Sequence, residues 1–217
     1  MISKAYLIQK LISIPLILIA LTGHELAHGL MSYKLGDPTP KAEGRLTLNP
    51  FKHLDLVGTI LMLVAGFGWA KPVMINPQYY KNRKVGTALT ALAGPLANFI
   101  MAFLAIALYA VFARVCIAIG FYNYSVISAV YSIAVLFASY NLSLMLFNLI
   151  PIPPLDGSKV LGAALPNRTY YKMLQYERYY SAVLIILVFV LLRFGVFDNF
   201  IYGGIELILN AIIKLFA

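Results

Sequence analysis

The sequence predicts an all-α polytopic membrane protein, and two observations carry that prediction. Hydrophobic residues fill 61% of the 217 positions and charged residues only 12%, a balance too apolar for a water-soluble domain of this length. The runs from Val85 to Ala113 and from Val115 to Leu155 hold no charged residue, and about 20 apolar residues of helix suffice to cross a bilayer core. The formal charge of +9 comes from basic residues scattered between apolar segments, without a stripe or an arm. That pattern is an orientation signal in a membrane and excludes nucleic acid as the partner. Cys116 is the only cysteine, which excludes an internal disulfide and a thiolate metal cluster.

Six apolar stretches follow in order: Leu7 to Tyr33, Leu56 to Ala70, Val85 to Ala113, Tyr124 to Ile150, Tyr179 to Phe197 and Phe200 to Ile213. Five are read as transmembrane helices. The second is about 15 residues long, short of the roughly 17 that a straight span requires, and carries three glycines. It is therefore expected to be re-entrant, and with the alternating Arg45 to Pro50 run before it forms a short re-entrant, β-like segment near residues 45–75. Backbone of that kind is tolerated at membrane depth only beside protein or a water-filled cavity, so the segment is expected to wall a pocket. An extended edge there suits pairing with an unwound substrate strand.

Charge placement agrees with a re-entrant second segment. If it enters and leaves on one side, the loops Lys34 to His53, Lys71 to Lys84 and Lys159 to Arg178 share that side with Lys214. All but Lys4, Lys10, Arg114 and Arg193 of the 17 Lys and Arg then fall together, which makes that side cytoplasmic. The N-terminus accordingly lies outside, and Lys4 and Lys10 are not read as a leader's basic region. With no long linker, repeat or low-complexity tract, residues 1–217 are expected to form a single domain.

The chemistry concentrates in the first span. His24 and His28 are four apart, so on a helix both imidazoles leave the same face and can grip one ion. Glu25 lies between them, and in a His-Glu-x-x-His helix that carboxylate takes a proton from the water the metal activates. Ionisable residues inside a span are expensive and mark function by default. Counting back from Lys34 at 1.5 Å per residue puts His24 and His28 about 15 and 9 Å from a cytoplasmic anchor.

Zinc sites of this kind usually take a third protein ligand and leave the fourth position open. The remaining acids are Asp37, Glu43, Asp55, Asp156, Glu177, Asp198 and Glu206. Asp156 stands out because Pro151, Pro153 and Pro154 break the helix just before it, Gly157 permits a turn, and the break falls on the side of the histidines. The residues alone leave it open between a ligand and an exposed turn aspartate. His53, in Lys52-His53-Leu54-Asp55, is read as a loop histidine bonded locally rather than as a rival ligand.

At these residues the chain resembles the site-2 protease family of intramembrane metalloproteases. The resemblance rests on His24-Glu25-Leu-Ala-His28, Phe67-Gly-Trp-Ala-Lys-Pro-Val73, Ala93-Gly94-Pro-Leu-Ala-Asn98 and the run from Asn148 to Gly157, which cover most of residues 20 to 160 in the family's order. It implies that Asp156 is the third zinc ligand, that one Zn2+ is bound per chain, and that Asn98 and Asn148 lie near the substrate backbone. On the residues alone, the two asparagines are equally well helix-to-helix hydrogen bonders. No insertion large enough for a peptide-binding domain interrupts the core segments and nothing follows Ala217, so a compact member without PDZ or CBS domain is expected.

The combined reading is an intramembrane zinc endopeptidase that cuts transmembrane segments of single-span membrane proteins, in regulated proteolysis or in signal-peptide clearance. It is expected as a multi-pass protein of a bacterial or archaeal cell membrane, active site toward the cytoplasm. The alternatives are another integral-membrane zinc peptidase, with Glu206 in place of Asp156, or a zinc-binding transporter or scaffold. Glu25 speaks against the latter, since a transport site needs no carboxylate base beside its ligands.

Overall fold

A computed structural model describes residues 4–55, 58, 70–170, 172, 175, 183, 190, 194 and 198–216. Six helices organise them: α1 (Lys4–Lys34), α2 (Thr39–Ala42), α3 (Arg83–Ala118), α4 (Tyr124–Asn148), α5 (Asp156–Ala164) and α6 (Asp198–Phe216). Three are long and apolar enough to cross a bilayer: Leu11–Lys34 within α1, then α3 and α4. These match the first, third and fourth apolar stretches. Nearly all of the expected span Tyr179 to Phe197 and of the expected re-entrant stretch Leu56 to Ala70 lies outside the described residues.

Local chemistry sets the helix ends. Asn82 and Asn123 cap α3 and α4, each side chain accepting a backbone N–H three residues on, from Val85 and Val126 at 3.1 and 3.2 Å. α3 stops at Gly120, whose φ of +71° only glycine adopts freely. There the Phe121 N–H turns back to Cys116 O at 2.8 Å, closing a tight hairpin into α4. At the far end of α4, Pro151, Pro153 and Pro154 bar further helix until Asp156 opens α5. Gly157 there lies flat against the Leu149 and Ile150 carbonyls, where any side chain would collide.

α3 is the central helix, packing on α1, α4, α5 and α6. Its outer face presents Leu92, Leu96, Ile100, Leu104, Leu108 and Val111, each at least 40% exposed. An apolar stripe of that length suits lipid rather than water. The inner face meets α4 and α6 around Ala102, Ile106, Ala138, Leu142 and Ile212. Toward α1 the contact is through small residues and histidine rings: buried Ala20, and Gly94, where a Cβ would run into His24 and His28.

Between Arg45 and Pro50 the backbone is a series of bends into a 3-10 turn (Pro50–Lys52), not the extended edge the alternation suggested. The reason is local. The Arg45 guanidinium and the His53 ring take carbonyls of the loop itself, including Lys52 O and Thr47 O, so the segment closes on its own side chains. Among the described residues the only β-like pairing is the antiparallel bridge between Leu54 and Ala70, with Lys71 N–H donating to His53 O at 2.8 Å.

Candidate metal centre

His24 and His28 stand one turn apart on α1, at the face that packs on α3. Their Nε2 atoms are 3.0 Å from each other, and Asp156 Oδ2 of α5 lies 3.3 and 3.0 Å from them. Donors about 2.0 to 2.1 Å from a tetrahedral zinc are about 3.3 Å apart, so these three atoms form one face of such a coordination shell. Among the described residues this is the one group of three or more His, Cys, Asp or Glu side chains placed to hold a metal. The sequence left Asp156 open between ligand and turn; the structure brings it to the histidines.

The surroundings fix which nitrogen carries hydrogen. His28 Nδ1 lies 2.6 Å from Thr90 O, a carbonyl that only accepts, so Nδ1 is the protonated atom. His24 Nδ1 lies 2.6 Å from Asn98 Oδ1. That amide cannot be turned the other way, because Asn98 Nδ2 donates to Ala20 O at 3.3 Å and to Asn141 Oδ1 at 2.9 Å, while Asn141 Nδ2 donates to Phe137 O at 2.9 Å. With both rings neutral, two Nε2 lone pairs and a carboxylate oxygen face one another with no hydrogen among them. Such a set fits a cation, and the partners on Nδ1 are the kind that orient metal-binding imidazoles.

Asp156 is buried, and its Oδ1 sits 3.9 Å from Lys159 Nζ one turn on. Glu25 is half-buried on the same turn of α1, and its Oε2 accepts the Val73 N–H at 2.9 Å.

Asn98 and Asn148 fall in different settings. Asn98 is fully buried with both amide hydrogens and its carbonyl engaged, so it faces His24 and the helix bundle, not an open groove. Asn148, at the end of α4, is half-buried and donates one amide hydrogen to Leu144 O at 3.0 Å. His53 bonds locally, Nε2 to Thr47 O at 2.9 Å, and stands outside the metal cluster, as does Glu206, exposed on α6. The sequence reading passed over Thr90 and Asn141, and took Arg45 only as the start of an extended run. For the first two the available signal was a polar residue inside a charge-free run.

A helical membrane protein whose His-Glu-x-x-His helix meets an aspartate placed as a third ligand belongs to the membrane-embedded metallopeptidases. The chain is a member of peptidase family M50, the site-2 protease family, which it matches over residues 12–193. It is similar to YwhC of Bacillus subtilis (strain 168), described by its name as a candidate zinc metalloprotease, with 40% identity over 176 residues, 79% of this chain and 77% of that protein. It is also similar to Rip2 of Mycolicibacterium smegmatis, described in the same terms, at 27% identity over 158 residues, 70% of this chain and 56% of that protein. No solved structure matches it.

Proposed function

We propose that the chain is an intramembrane zinc endopeptidase, in one domain over residues 1–217, that cuts single-span membrane proteins near the cytoplasmic end of their span. The observation that carries this reading is the convergence of His24 Nε2, His28 Nε2 and Asp156 Oδ2 within 3.3 Å beside Glu25. These three residues hold the zinc, which when bound acidifies a water and polarises the scissile carbonyl. Glu25 takes the proton from that water as the new carbon–oxygen bond forms, then passes a proton to the amine as the carbon–nitrogen bond breaks. Thr90 and Asn98 keep the imidazoles in the tautomer that binds metal. Asn148 retains an amide hydrogen and its carbonyl for the substrate backbone.

Both physiological roles, regulated proteolysis and signal-peptide clearance, need the same step. A peptide bond in an intact helix has its carbonyl bonded four residues on, so a few residues must first unwind inside the protein's pocket. The grouping of Lys and Arg on the loops flanking α1, α3 and α5 supports a cytoplasmic site. The test is metal analysis with cleavage of model single-span proteins. His28→Ala is expected to lose zinc and activity together, and Glu25→Gln to keep zinc and lose turnover by about 100-fold or more. Full zinc occupancy in a His24→Ala, His28→Ala double variant, or wild-type turnover in Glu25→Gln, refutes the assignment.

A further inference from the structure

We propose that Arg45 is a positioning residue for Glu25, acting through the peptide group between Pro72 and Val73. Arg45 is 5% exposed. Its guanidinium reaches three carbonyls: Lys52 O through one terminal nitrogen, and Lys71 O and Pro72 O through the other at 2.7 and 2.6 Å. The Pro72 carbonyl and the Val73 N–H are the two ends of one planar peptide unit. Its oxygen end meets the Arg45 cation, and its N–H end meets Glu25 Oε2 at 2.9 Å. A single peptide dipole is thus held between opposite charges, and each strengthens the other's hydrogen bond by polarising the group between them.

Two further contacts fix the same strip of chain. The Val73 side chain lies over Gly29, one turn of α1 beyond Glu25, with Cγ1 3.3 Å from where a Cβ would stand. The Asn76 N–H donates to buried Asp37 at 2.6 Å. Residues 71–76 are therefore tied down at both ends with the Glu25 contact between, and Arg45 governs the end nearer to Glu25. Holding Oε2 on Val73 restrains the Glu25 carboxylate, and with it the oxygen that would take the proton. Lysine cannot replace the arginine fully, because a single ammonium has no fork to span Lys52 and Lys71 together. The inference rests on Glu25 being the general base.

The experiment uses the full-length zinc-loaded protein and a model single-span protein with a Gly-Pro pair near its cytoplasmic end. Arg45→Gln is expected to lower kcat on the order of 100-fold, as a misplaced base does, with KM and zinc content unchanged. Hydrogen exchange at the Val73 amide is expected to quicken about tenfold as its acceptor loosens. Arg45→Lys should fall between, and carries the same decision if the glutamine variant does not fold. Unaltered kcat, unaltered exchange at Val73, or a loss confined to KM overturns the proposal. Glu25→Gln separates the two ideas: if it still cleaves, the base assignment fails, whereas an inactive Glu25→Gln beside a fully active Arg45→Gln removes Arg45 alone.

Discussion

Two stretches of α3 meet their neighbours in opposite ways. From Thr90 to Asn98 the helix faces α1 with a carbonyl, a glycine and an amide, and each touches a histidine. From Ala102 to Ile106 it faces α4 and α6 with apolar side chains, Ala102, Phe103 and Ile106. In lipid the apolar contact gains little from leaving its surroundings, so it rests on many individually small packing contacts. The polar contact is directional, and each lost partner strands a buried donor or acceptor. One stretch therefore tolerates small changes of shape, and the other does not.

The largest effect should come from Gly94→Ala, which adds one methyl where both imidazole rings stand. Neither ring can yield without leaving its Nδ1 partner, so zinc retention and cleavage are each expected to fall about 100-fold, read by metal analysis and turnover. Next comes Asn98→Ala, which frees His24 Nδ1 and strands Asn141. A loss of about 10- to 100-fold in zinc affinity by chelator competition is expected, with helix content kept.

A smaller effect concerns Asp37, just past α1. Burial raises its carboxyl, but the Asn76 and Thr39 N–H groups and the Ser32 hydroxyl more than offset this and hold it below the usual carboxylate range. A depressed carboxyl contributes stability above its unfolded value and loses it as pH falls through the folded one. Thermal unfolding in detergent should thus fall on acidification through and below the ordinary carboxylate range, and Asp37→Asn should flatten that part of the profile. The smallest effect is Gly204→Ala on α6, where the new methyl meets only the tip of Leu146, 2.8 Å away. That side chain can turn aside, so stability should stay within about 0.5 kcal/mol and zinc content unchanged.

What the sequence made legible follows from the range of each interaction. α1, α3 and α4 were readable because lipid demands long apolar runs, and the runs are there, charge-free in α3 from Val85 to Ala113 and throughout α4. His24, Glu25 and His28 were readable because their spacing acts within one helix. On the residues alone Asp156 was visible only as an aspartate after a proline break, and it was family resemblance that implied a ligand, since its meeting with α1 depends on how α5 packs against α3. Arg45 was read as the start of an extended edge, because nothing in an alternating run tells that the arginine turns inward and takes carbonyls from residues 52, 71 and 72. Asn98 was singled out through family resemblance, but its partner His24 is 74 positions away, and no local pattern records that bond.

Asp156 also sits on a piece of chain unlike the others around the metal. α5 is nine residues long, follows a proline-rich break and hangs from the end of α4, whereas the histidines belong to a 31-residue helix. An ion shared between them would act as a cross-link that closes a loop from residue 28 to residue 156, in a chain whose one cysteine can form no internal disulfide. Closing so long a loop removes chain entropy that the unfolded state would otherwise keep. Chelation should accordingly release α5 first and leave the α3–α4 hairpin standing.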